Sequence, residues 1–110
     1  MVDIYDKETV CLAQTIHGEA KGESLVGMRA VATVVLNRVK DGRFGRGVCG
    51  VVRARGQFSG YHGHIKPSVN ALRVAVEAMG GDLARVVGSR LYFNTVGPLR
   101  AIKVGNHYFW

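Results

Sequence analysis

The residues with the most chemical potential lie in Ile16-His17-Gly18-Glu19-Ala20-Lys21-Gly22-Glu23-Ser24. Glu19 and Glu23 stand four residues apart, and each follows a glycine. They fall where one apolar-periodic stretch ends and the next begins. The chain has eight acidic side chains against fifteen basic ones, so a pair at one glycine-flanked junction is conspicuous. A carboxyl at a helix end can be desolvated on its protein side and still face a cleft. Such a setting favours the protonated form and suits a general acid. The alternative is a capped helix end with two solvated carboxylates.

The remaining carboxylates are placed less favourably. Asp3, Asp6 and Glu8 belong to the N-terminal tail or the far end of the first helix. Asp41 and Asp82 sit beside helix-ending glycines, Glu77 falls on a helix surface, and Leu91–Trp110 contains none. His62-Gly63-His64 has chelating character but no partner cysteine or carboxylate. It reads as a polar loop, and neither a metal nor another cofactor is expected. Cys11 and Cys49 are too few for a disulfide scaffold and match no metal spacing. They read as small buried thiols, with a disulfide the lesser alternative. Asn37-Arg38 is a polar pair inside an apolar stretch, expected to satisfy loop carbonyls.

The elements that must position these groups follow from period and punctuation. Asp6 is a plausible N-cap for a helix through about Ala20, with Val10, Ala13, Ile16 and Ala20 on one stripe. Ser24 is a plausible cap for a second helix through about Lys40. Its apolar residues (Leu25, Met28, Val31, Ala32, Val34, Val35, Leu36 and Val39) cover so much surface that it reads as the central, buried helix. Asp41-Gly42 ends it. Residues 42–66 are glycine-rich loop with one helical turn at Val48–Arg53. Pro67 suits the first turn of another helix, faced by Val69, Leu72, Val76 and Met79 and stopped by Gly80-Gly81. After that the period changes. Leu91–Asn94 and Ile102–Val104 read as short strands about a Gly97-Pro98 turn. The expectation is one α+β domain over residues 1–110, mainly helical with a short C-terminal β element.

Composition narrows the function. At 110 residues there is room for one core. No apolar run reaches the roughly 18 residues of a membrane span, so stable membrane insertion is not expected. Residues 1–15 lack a basic start followed by an apolar run, so no signal peptide is expected. A net charge of +7 favours polyanionic partners such as nucleic acid, anionic lipid or an anionic cell wall. The basic residues are scattered, with no RNA-recognition or zinc-finger signature, and nucleic acid is not the expected partner.

Leu12–Val39, read as LAQTIHGEAKGESLVGMRAVATVVLNRV, resembles the opening of the SleB-type cell-wall hydrolase family, which includes spore-cortex-lytic enzymes. So do VCGVV at 48–52, GQFS at 56–59, LYFN at 91–94 and GNHYF at 105–109. The likeness runs in order over nearly the whole chain. It implies a small domain similar to lysozymes and lytic transglycosylases, with a catalytic glutamate at the end of the first long helix facing a groove lined by a small β subdomain. Carried over residue by residue, Glu19 matches the catalytic acid and Glu23 the second acid of the motif, whose role stays open. Gln57, Phe58 and Ser59 match a groove segment, and Tyr92, Asn94 and His107 match positions on the β side; these six and Glu23 are expected to bind substrate. Three departures matter, one of them that the stretch Tyr61–Lys66 is short and histidine-rich. His17 stands where the family more often has an aromatic residue, which implies a more polar setting for Glu19. The separate wall-binding domain of the spore enzymes is absent from these 110 residues, which suggests a bare catalytic module of the endolysin kind.

The resemblance implies a monomeric glycosidase acting on peptidoglycan glycan strands between N-acetylmuramic acid and N-acetylglucosamine. A protein made in the cytoplasm without a signal peptide would need a separate route to the wall, such as release by phage lysis. Cleavage needs an acid for the leaving oxygen and a nucleophile for the oxocarbenium-like centre. The scarcity of carboxylates favours a lytic transglycosylase, in which the substrate's own 6-hydroxyl attacks and one glutamate serves as acid, then base. Two alternatives come from other classes. One is a basic, non-catalytic binding module. The other is an amidase, which calls for a zinc site or a Cys–His arrangement that the sequence does not display.

Overall fold

The computed structural model describes residues 6–54, 58, 61–81 and 87–110. In chain order the elements are α1 (Lys7–Ala20), α2 (Leu25–Asp41), α3 (Gly47–Arg53), α4 (Val69–Met79), β1 (Phe93–Asn94), β2 (Ile102–Val104) and β3 (His107–Phe109). This is the expected plan of a helical body with a small C-terminal sheet. The first two helices begin where their caps place them. Asp6 Oδ1 accepts from the Glu8 N–H at 2.7 Å, and Ser24 Oγ accepts from the Gly27 N–H at 3.3 Å. Gly42 ends α2 in the left-handed conformation at φ +86°, its N–H donating to Arg38 O. No helix among the described residues is long and apolar enough to cross a membrane.

The core lies among the four helices. From α1 it takes Leu12, Ala13 and Ile16; from α2, Ala30, Val31, Val34 and Val35; from α3, Val51 and Val52; from α4, Ala71, Val74 and Ala75. The breadth of buried surface on α2 bears out its reading as the central helix. α4 departs from expectation twice. Its cap is Ser68, so Pro67 stands just outside the helix. Its buried stripe is Ala71, Val74, Ala75 and Ala78, while Val69 points out and is 82% exposed. Small side chains let α4 lie close against α1 and α2, and the larger valine is left to solvent.

The sheet has the order β1-β3-β2, with both pairs antiparallel. β1 and β2 therefore do not form a hairpin about Gly97-Pro98, as the sequence suggested; β3 lies between them. The hairpin is β2–β3, closed by Gly105-Asn106. Gly105 has φ +60° and Asn106 is not left-handed, a two-residue turn that calls for glycine at its first position. Register divides the sheet into two faces. Phe93, Ile102 and Phe109 are aligned with one another, and Val104 and His107 share their face by alternation. This face packs on the helices, and Phe109 is fully buried. Asn94, Lys103 and Tyr108 are aligned on the other face.

The cysteines also differ from expectation. They form a disulfide joining α1 to α3, with a Cα–Cα distance of 5.3 Å. Period and burial correctly gave Cys11 as buried, but pairing across 38 residues depends on how α3 folds back against α1.

Candidate active site

The two junction glutamates have separate surroundings. Glu19 lies on the last turn of α1 and is partly exposed. The chain then leaves the helix, and the Glu23 N–H donates back to Ala20 O at 3.0 Å. This turn breaks the helical register that would have put both carboxylates on one face. Since Ser24 caps α2, Glu23 is not the helix cap. Its carboxylate crosses to the sheet. Oε1 accepts from the Asn106 backbone N–H at 2.8 Å, and Oε2 accepts from Asn106 Nδ2 at 3.1 Å. His107 Nδ1 lies 3.4 Å from Oε1, and the Glu23 side chain is only 9% exposed.

His17, two residues before Glu19, has its Nδ1 accepting from the Ser68 N–H at 3.0 Å. Its polarity is therefore used at the start of α4. Gln14 holds the loop with the two histidines, donating from Nε2 to Gly63 O at 3.0 Å and to Ile65 O at 3.1 Å. Among the described residues no three His, Cys, Asp or Glu side chains are grouped to hold a metal ion.

The other described carboxylates are committed elsewhere. Asp6 caps α1. Glu8 Oε2 accepts from the Cys49 N–H at 2.7 Å, at the start of α3. Asp41 pairs with Arg43 at 2.7 Å, and the hydrogen bond from Arg43 holds its carboxyl below the usual range. Glu77 lies between Arg29 at 3.2 Å and Arg73 at 3.5 Å.

The positions expected on the β side do not form one surface. Gln57 and Ser59 lie outside the described residues. Phe58 is buried rather than lining an open groove: its ring packs 5.9 Å from Phe93 and 4.9 Å from the Arg38 guanidinium. His107 faces the helices, edge-on to Phe93 at 5.4 Å, beside Glu23. Asn94 is on the opposite face and accepts from the Thr95 N–H at 2.7 Å. Tyr92 exchanges two backbone hydrogen bonds with Trp110, and their rings stack at 5.9 Å. Tyr92 is 39% exposed. Of the expected set, the structure brings together Glu23 and His107 and separates them from Tyr92 and Asn94.

Asn37 and Arg38 perform the structural task expected of them. Asn37 Nδ2 donates at 2.8 Å to Gly88 O and to Arg90 O. Arg38 Nε donates at 2.7 Å to Leu91 O. The guanidinium also lies against Phe44, Phe58 and Tyr92, at 4.8, 4.9 and 5.4 Å from the ring centres, a cluster no local signal revealed. Burial pulls the Arg38 pKa below its usual value, and Tyr92 partly offsets this.

Residues 22–110 match the sequence profile of the Cell Wall Hydrolase family. The chain belongs to that family. The match starts just after Glu19, so Glu23 lies inside it. Among relatives, a spore cortex-lytic enzyme of Halalkalibacterium halodurans is 34% identical over 92 residues, 81% of this chain and 28% of that protein. One from Bacillus subtilis is 33% identical over 73 residues, 64% of this chain and 24% of that protein. The chain thus spans about a quarter of the length of these relatives. Among solved structures, the catalytic domain of the germination-specific lytic transglycosylase SleB from Bacillus anthracis has a TM-score of 0.80 at 27% identity, covering 99% of this chain and 98% of that one. The catalytic domain of the Bacillus cereus SleB protein has a TM-score of 0.76 at 27% identity, covering 96% and 91%. The chain is therefore homologous to a lytic transglycosylase catalytic domain, and the likeness takes in the α1 end that bears Glu19.

Proposed function

We propose that this cell wall hydrolase is a lytic transglycosylase acting on peptidoglycan glycan strands, with Glu19 as its one acid and base. The observation that carries the reading is the distribution of carboxylates. Among the described residues, Asp6, Glu8, Glu23, Asp41 and Glu77 are each held by backbone N–H groups or cations, and of these five only Glu23 lies in the α1–α2 junction that follows Glu19. A two-carboxylate hydrolase needs a second acid group presented across the bond.

In the proposed reaction Glu19 donates its proton to the bridging glycosidic oxygen, and the bond from that oxygen to C1 breaks. The 6-hydroxyl of the same sugar attacks C1, and the Glu19 carboxylate takes the hydroxyl proton. The products are a free 4-hydroxyl and a 1,6-anhydro sugar, and Glu19 is protonated again. Relatives named as spore cortex-lytic enzymes support peptidoglycan as the substrate class. The disulfide supports action outside a reducing cytoplasm. It also counts against a cysteine amidase, since both thiols are used in the bond.

Glu19→Gln keeps the shape of the side chain and removes the transferable proton. Wall clearance should fall by at least about a hundredfold with an unchanged melting curve. Clearance near the wild-type rate by the folded variant would end the assignment.

A further inference from the structure

We propose that Glu23 is a positioning residue, not a second catalytic or substrate-binding carboxylate: it pins the β2–β3 turn to the α1–α2 junction beside Glu19. The proposal rests on the reading of Glu19 as the acid. Four observations support it. Both Glu23 oxygens are engaged by Asn106, one through the backbone and one through the side chain. The side chain is nine-tenths buried, with His107 against it. A Cβ on Gly105 would come within 2.9 Å of Glu23 Oε1, and one on Gly27 within 3.1 Å of Glu23 Cβ. Glycines on both sides thus keep open the space this carboxylate fills. The contact also joins segments 83 residues apart.

The consequence concerns geometry at the reacting bond. Glu19 belongs to the last turn of α1, and Glu23 to the turn that follows it. A substrate held between the helix end and the sheet has its reacting atoms placed by both. Loosening the pin lets the hairpin move relative to the acid, and a displacement of about 1 Å can cost about a hundredfold in turnover. Asn106 is exposed, so its freed N–H groups find water and the variants should fold.

The series Glu23→Gln, Glu23→Asp and Glu23→Ala separates the roles. Glutamine keeps the length and one acceptor, and the Asn106 amide can flip to meet its NH2. Aspartate keeps the charge but is one methylene short of the turn. For a positioning residue, kcat should fall no more than about fivefold in Glu23→Gln and about 10- to 100-fold in Glu23→Asp and Glu23→Ala. KM should stay within about twofold of wild type, because the contact acts on alignment more than on uniform binding. A second catalytic carboxylate reverses the order, with Asp retaining more turnover than Gln. That order, with unchanged melting curves, would overturn the proposal. So would full kcat per folded molecule in Glu23→Ala, which would leave Glu23 with a purely structural role. If the alanine variant fails to fold, the Asp–Gln comparison decides alone. Glu19→Gln is measured alongside; its activity would overturn the acid assignment, a result distinct from any ordering of the Glu23 series.

Discussion

Opening the Cys11–Cys49 bond should remove a large part of this domain's stability. The bond closes a loop of 38 residues. Freeing a loop of that length returns about 13 cal/mol/K to the unfolded chain, or about 4 kcal/mol at 25 °C. Domains of this size are stable by roughly 5–15 kcal/mol, so the loss is a quarter or more of the total. With an unfolding entropy of about 2.1 cal/mol/K per residue, the melting temperature should fall by about 17 °C. The native state loses little else, since Val48, Val51 and Val52 still bury α3 against the core and Glu8 still holds the Cys49 N–H. The assay is thermal unfolding followed by circular dichroism, with and without a phosphine reductant. A Cys11→Ala/Cys49→Ala variant serves as the control that reductant should not affect. A fall of less than about 4 °C on reduction would mean that the loop is already constrained in the unfolded chain or that the bond does not form.

Two further outcomes follow from charge and packing. Arg38→Met should destabilise the domain by about 2–4 kcal/mol, because Leu91 O loses its donor and the Phe44, Phe58 and Tyr92 rings lose the plane they pack against; urea unfolding gives the value, and a change below about 1 kcal/mol would contradict the packing role. Lysis of intact walls should fall steeply with added salt, since a net charge of +7 draws the protein to an anionic surface, while cleavage of short soluble glycans should respond much less. Parallel salt responses would rule out charge steering.

Much of the helical body was legible because its signals are local. Asp6, Ser24 and Gly42 mark the ends of α1 and α2, and caps act within a few residues of themselves. The apolar breadth of α2 announced its burial. α4 was harder because two overlapping stripes share the same period. Val69, Leu72 and Val76 look more hydrophobic than Ala71, Ala75 and Ala78, yet close packing against α1 and α2 selects the small residues. The strand order was hidden for a different reason. β1 meets β3 across the whole 95–106 stretch, and Gly97-Pro98 competes with Gly105-Asn106 as the turn. The candidate site divides in the same way. Glu19 was picked out by its helix end and by the family motif. The partner of Glu23 lies 83 residues away, and the disulfide spans 38; both depend on how the finished elements meet. Tyr92 and His107 come from two separate motifs, and they fall on different sides of the sheet because Tyr92 pairs with Trp110 while His107 shares the face of Phe109 by alternation.

The central claim is that one glutamate gives its proton to the leaving oxygen and then takes the proton of the sugar's own attacking hydroxyl. Mass spectrometry of purified peptidoglycan digested to completion tests this directly. The single-glutamate mechanism gives muropeptides ending in 1,6-anhydro-N-acetylmuramic acid, each lighter by one water than its hydrolysed counterpart. Products carrying reducing ends throughout would mean that water is the nucleophile, and would contradict it.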